Sequence, residues 1–147
     1  MKREPYSLGF IIEKARNFVL LQESAHSWMN KKWNGIGGHI EENESPLQAM
    51  QREATEEINM VKGSYWQHRI TYLCPGGTVF IFAHFSSSII RNVIPNILPK
   101  QKEAQDIRMF DIDILPKYRM QNISWMIPLC LEELEFPTIV TSKSLGL

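Results

Sequence analysis

Tyr6 to Ile12 and Asn17 to Leu21 are short runs of β-branched, aromatic and leucine residues parted by Glu13-Lys14-Ala15-Arg16, a pattern that predicts a hairpin with a charged, solvated loop. Ser24 to Lys32 is polar and turn-like. Trp33 to Ile40 then carries Gly35, Gly37 and Gly38 within four positions, a density that marks a loop with unusual backbone or a close approach. At Ser45-Pro46-Leu47-Gln48 the period changes. Ser45 can cap a helix, Pro46 suits its first position and Gln48 can complete a capping box. Leu47, Met50, Ala54 and Ile58 follow at three- and four-residue spacing, so a helix over 46–58 with that buried stripe is predicted, ending near Asn59. Tyr65 to Tyr72, Thr78 to Ser86 and Arg108 to Ile114 read as strands, the first two joined through the turn Cys74-Pro75-Gly76-Gly77. Ser124 to Leu134 reads as a second helix with Pro128 near its first turn. Strands, helix, strands, helix is the order of an α/β or α+β fold with a mixed or antiparallel sheet.

Composition narrows the class. The 147 residues suit one domain over 1–147, and 44% apolar with 22% charged residues excludes a disordered or fibrous chain. Sixteen basic residues balance sixteen acidic ones, so no stable nucleic-acid partner is expected and any anion site must be local. Cys74 and Cys130 have neither disulfide-framework nor zinc-site spacing, which fits a reducing, cytoplasmic setting. No run approaches the length of a membrane span, and Leu8 to Ile12 is too short for a signal core.

The predicted helix concentrates the chemistry. Glu53, Glu56 and Glu57 lie three and four residues apart, off the apolar stripe, with Cβ atoms about 5–6 Å from one another. A solvated acidic face would explain most such clusters. Here the carboxylates sit in the C-terminal half of the helix, where the macrodipole disfavours anions, and a glycine-rich segment leads into it. A divalent cation resolves the repulsion, and hard oxygen ligands suit Mg²⁺, or Mn²⁺, with substrate phosphate oxygens completing the shell.

From Gly38 the residues Gly38, Glu44, Arg52, Glu53, Ala54, Glu56, Glu57, Asn59 and Met60 fall in the order Gly-x5-Glu-x7-Arg-Glu-Ala-x-Glu-Glu-x-Asn-Met, which resembles the Nudix box, with Asn59 in place of the usual glycine. The resemblance implies an α/β/α sandwich with a mixed central sheet and the box loop-helix, covering most of the chain. It also implies metal-dependent hydrolysis of a nucleoside diphosphate linked to some group X. On that resemblance the metal ligands are Glu53, Glu56, Glu57 and the Gly37 carbonyl, with Arg52 orienting the cluster through Glu44. The general base lies either on the box helix or on a later carboxylate, for which Glu103 and Asp106 are candidates; a solvated loop over 100–106 is the plain alternative.

Substrate contacts are read from the same resemblance. Trp33 to Gly38 is similar to the loop of the branch that hydrolyses nucleoside triphosphates, including oxidised purines such as 8-oxo-dGTP, so Asn34 is the first base-reading candidate, with Gly38 beside it. Asn122 and Trp125 resemble the segment that closes over the base, and Trp28 offers a stacking face. Against these stand ordinary packing for Trp28 and Trp125 and an N-cap for Asn122. Ser24-Ala25-His26 replaces the basic residue many relatives carry, leaving phosphate contact to His26, Lys31 or Lys32. The leading expectation is a (d)NTP or oxidised-purine diphosphatase acting as monomer or homodimer. The alternatives are an ADP-ribose or nucleotide-sugar hydrolase, towards which Pro75 leans, and a catalytically silent nucleotide sensor.

Overall fold

The computed structural model describes residues 4–23 and 32–142. Along the chain run β1 (Tyr6–Glu13), β2 (Phe18–Glu23), β3 (Trp33–Asn34), β4 (Ile36–His39), α1 (Pro46–Ile58), β5 (Gln67–Cys74) and β6 (Gly77–Phe85). Then come α2 (Ile89–Asn92), a 3₁₀ turn (Ile94–Asn96), α3 (Pro99–Ala104), β7 (Ile107–Asp111), α4 (Ile123–Cys130) and β8 (Thr138–Thr141). The strands form one mixed sheet in the order β3-β2-β1-β6-β5-β8, with β4 also on β1 and β7 on β2. β1 runs parallel to β6 and β5 parallel to β8; the other pairings are antiparallel. This is the expected mixed sheet of an α+β fold.

Helices cover both faces. Leu8, Phe10 and Ile12 of β1 pack with Val19, Leu21, Ile81 and Ala83 against Ile123, Met126 and Ile127 of α4. Ile11 faces the other way, joining Leu20, Ile36 and Phe82 against Met50, Ala54 and Ile58 of α1 and Ile89 of α2. A strand buried on both faces reads as a continuous apolar run, which is why β1 lacks alternation. Gly9 lets α1 come close, because a Cβ there would lie 2.6 Å from the Met50 sulfur and from the Trp66 ring.

Helix α1 has the expected limits. Ser45 Oγ accepts from the Gln48 amide at 3.1 Å, while the Gln48 side chain accepts from the Ser45 amide at 2.8 Å. Asn59 ends the helix with φ 57° and ψ 35°, and the Asn59 and Met60 amides donate back to Thr55 and Ala54. Of the predicted stripe, Leu47 is 40% exposed, and Ala49 is buried with Met50, Ala54 and Ile58.

Other expectations are corrected. The glycine segment is not a loop: Gly37 and Gly38 pair with Leu8 and Ser7 as part of β4. Glu13 is not solvated but 1% exposed on its side chain, accepting from the Ile89 amide at 2.7 Å and from the Arg16 guanidinium. Lys100 to Ala104 is helical, in α3, rather than a loop. The second helix stops at Cys130, not Leu134, and holds Pro128 in its interior. Arg69 explains the stop, since its guanidinium donates to the carbonyls of Cys130 and Glu132 and takes up the helix end. β8, which the sequence reading did not predict, follows at the β-branched run Thr138-Ile139-Val140-Thr141.

Candidate active site

Helix α1 lies over β4, and its acidic residues meet the strand backbone. Glu57 Oε2 accepts from the Gly37 amide and from Gln22 Nε2, each at 3.2 Å. Glu53 needs Gly38 to be a glycine, because a Cβ there would run into its carboxylate. Both side chains are therefore pressed into the crevice between helix and sheet, and only Glu56, 59% exposed, stays on the solvated face. Arg52 ties the cluster together. Its Nε and Nη2 grip Glu44 at 2.8 and 3.1 Å, and Nη1 reaches Glu53 at 2.9 Å and Glu56 at 3.4 Å. Nη2 also donates to the His39 carbonyl at 3.1 Å, so the guanidinium joins helix, strand and connecting turn.

The electrostatics follow from this burial. Burial pushes the Glu57 carboxyl up to about 8, and the neighbouring Glu53 carboxylate adds to the rise. Burial also raises Glu53, although Arg52 opposes it. Glu44 goes the other way, held below the usual carboxylate range by its hydrogen bonds from Arg52. The Tyr6 hydroxyl is pushed up to about 12, first by burial and then by Glu57 and Glu53.

Two adjoining carboxylates that resist ionising together form a donor set that fits a hard divalent cation, which would remove their repulsion. Among the described residues no three His, Cys, Asp or Glu side chains already converge as a metal cage, so the shell would need substrate or water oxygens, as Mg²⁺ ordinarily keeps.

Beside the pair opens a cavity of about 640 Å³. Glu53, Glu57, Arg52, Gly37, Gly38 and His39 line one part of it; Leu8, Tyr72, Val79, Ile123 and Met126 line an apolar part; Asn34 and Asn122 also border it. Asn34 Oδ1 accepts from the Gly35 amide at 2.8 Å, which fixes the side chain at the wall. Asn122 stands at the head of α4, yet its side chain makes no cap bond and accepts the Trp125 indole N–H at 3.1 Å. Trp125 is outside the lining and packs edge-on against Tyr72, with ring centroids 5.1 Å apart. The structure thus brings Asn34, Gly37, Gly38, Arg52, Glu53, Glu57 and Asn122 to one cavity, with Glu44 behind Arg52.

Glu103 and Asp106 are not brought there. Glu103 is exposed on α3, and Asp106 pairs with Arg108 at 2.7 Å; neither lines the cavity. Lys32 is also outside the lining, while His26, Trp28 and Lys31 fall outside the described residues. Sequence reasoning missed Tyr6, His39 and Gln22. The last had a signal, being an amide that ends the apolar run Phe18-Val19-Leu20-Leu21.

The Gly38 contact gives a direct test. Gly38→Ala should displace the Glu53 carboxylate and lower kcat about 10²-fold, the scale of a roughly 1 Å misplacement, with far-ultraviolet circular dichroism unchanged. Activity within twofold of the parent would show that Glu53 has no fixed role.

A family model described as NUDIX domain matches residues 3–127. An 8-oxo-dGTP diphosphatase from Proteus vulgaris is 37% identical over 59 residues, covering 40% of this chain and 53% of that protein, so the chain spans about half the length of this curated relative. Among solved structures, a MutT structure from a study of the Aliivibrio salmonicida and Vibrio cholerae proteins superposes with a TM-score of 0.64 at 19% identity, covering 90% of this chain and 99% of that one. An ADP-ribose pyrophosphatase from Streptococcus suis gives 0.64 at 16% identity, covering 96% and 100%. At these identities the likeness is one of fold.

Proposed function

The chain belongs to the Nudix family, and from that premise we propose that it is a pyrophosphohydrolase that cleaves a purine nucleoside triphosphate, foremost an oxidised one such as 8-oxo-dGTP, to the monophosphate and pyrophosphate. The observation that carries this reading is the two-part cavity, acidic at the box helix and apolar beneath α4, with amides at Asn34 and Asn122. A nucleotide in this cavity would set its base on the apolar wall, where the two amides can pair with its edge, and its phosphates over Glu53 and Glu57. The Proteus vulgaris relative's activity supports the choice of base.

Nudix hydrolases in general use divalent metals, and here Glu53, Glu57 and the Gly37 carbonyl at the cavity, joined by Glu56 from the solvated face, would hold Mg²⁺ or Mn²⁺, which would neutralise charge on the phosphate oxygens. The chain's own groups do the rest. Arg52 keeps Glu44, Glu53 and Glu56 in register and so fixes where the carboxylates meet the phosphates. Of the candidate bases, Glu53 and Glu57 of the box helix border the cavity, as does Glu41 ahead of that helix, whereas Glu103 and Asp106 do not. Glu53 or Glu57, the two pressed against the strand backbone, therefore receives the proton from the attacking water. Tyr72, Val79 and Met126 exclude solvent from the base side.

A substrate panel tests the reading: pyrophosphate release from canonical and oxidised dNTPs, and AMP formation from ADP-ribose, each with Mg²⁺ and Mn²⁺. The expected result is highest kcat/KM for an oxidised purine triphosphate. AMP from ADP-ribose with inert triphosphates would move the assignment to nucleotide sugars, and no turnover at all would make the protein a sensor.

A further inference from the structure

Gln22 is the one polar residue of β2 drawn fully into the interior, 8% exposed, and its amide is placed between two acceptors. Nε2 donates to the Gly35 carbonyl at 3.3 Å and to Glu57 Oε2 at 3.2 Å. A carbonyl cannot donate, so the amide must present both its hydrogens on this side, and its orientation is fixed. The consequence falls on the other end: Oε1 is buried with no hydrogen-bond partner among the described residues. A methionine of the same shape would fill the space without burying an unpaired acceptor. What the amide supplies and methionine lacks is the pair of N–H groups.

We propose that Gln22 is a positioning residue that holds the Glu57 carboxylate in its cation-binding orientation by tying it to the backbone of the Asn34–Gly35 segment. With the Gly37 amide on the same oxygen, Oε2 is held from two sides, so Glu57 can present its other oxygen in only one direction. The same tie links the two parts of the site, because the Gly35 amide also donates to Asn34 Oδ1. The inference rests on the assignment of Glu57 to the cation site made above.

The test uses Mn²⁺ binding to the full-length, nucleotide-free protein, read from the paramagnetic signal of free Mn²⁺, beside steady-state kinetics. Gln22→Met keeps volume and removes both donors. It should weaken Mn²⁺ binding about 10- to 100-fold, the usual effect of losing a partner that orients a metal ligand, and lower kcat with nucleotide KM within about twofold. A merely structural role would lower Tm and leave Mn²⁺ affinity per folded molecule intact. Should Gln22→Met fold too poorly to assay, Gln22→Asn, one methylene too short to span Gly35 and Glu57, replaces it. Glu57→Gln is the control. If Glu57→Gln loses Mn²⁺ affinity while the Gln22 variants keep it, the positioning role is overturned. If Glu57→Gln itself binds Mn²⁺ like the parent, the cation assignment of Glu57 fails, and the role of Gln22 with it.

Discussion

Glu57→Gln is expected to lower kcat for nucleotide hydrolysis by about 10²- to 10⁴-fold, the range for removing a group that takes part in the proton transfer of the reaction. The substitution changes almost no volume, so the loss comes from chemistry and orientation. Two donors, the Gly37 amide and Gln22 Nε2, face the Oε2 position. A glutamine must turn its carbonyl oxygen towards them, which leaves its NH₂ pointing where a cation or a water proton has to be received. Binding of the base is untouched, so KM should stay within about threefold. Thermal stability without metal should rise towards alkaline pH, because the charge that Glu53 and burial both oppose is gone. Steady-state kinetics and a melt in chelator read the two effects separately. A variant with more than a tenth of parental kcat would remove Glu57 from the machinery.

The features that were legible in the sequence are those that local chemistry decides. Ser45, Pro46, Gln48 and Asn59 specify both ends of α1 through bonds within a few residues, and the structure ends the helix where they do. The box spacing likewise placed Arg52 within reach of Glu44 and Glu53. The features that were not legible depend on partners far along the chain. Gly37 and Gly38 look like loop residues until β1 pairs with them, and that pairing is what presses Glu53 and Glu57 inward. Glu13 is buried against Ile89, 76 positions later, whose amide it accepts beside the local Arg16 guanidinium. α3 is six residues long and leans on α1 through Gln101, whose Nε2 donates to the Glu56 carbonyl at 2.8 Å. Helices and strands this short carry too few residues for a period to show, and packing decides them.

Metal-free stability should fall as pH rises from about 5 to about 8.5, and the fall should belong to the Glu53–Glu57 pair. In the unfolded chain Glu57 loses its proton near the ordinary value of 4.5, whereas in the fold it holds it up to about 8. Between those values the native state binds more protons than the unfolded one, so the slope of stability against pH is negative. The contribution is complete below pH 4.5 and is lost as pH passes through about 8. Glu53, raised by burial, adds in the same direction. His68, held below its ordinary value by burial, opposes it at the acid side of the window but is common to parent and variant, and Glu44, held low by Arg52, contributes stability that is lost only at more acid pH. One fully coupled proton is about 1.4 kcal/mol per pH unit, and solvent screening leaves part of that, so several degrees in Tm are expected across the window. Melts of the parent and of Glu57→Gln in chelator at pH 5.5, 7 and 8.5 read it: the curves should converge at the acid end and separate with the variant higher at the alkaline end. Saturating Mg²⁺ should flatten the parent's slope, because a cation favours the ionised pair and opposes the proton. Parallel curves at all three pH values would mean that both carboxylates ionise freely, and the proposed attraction of a cation to this crowded pair would have no energetic basis.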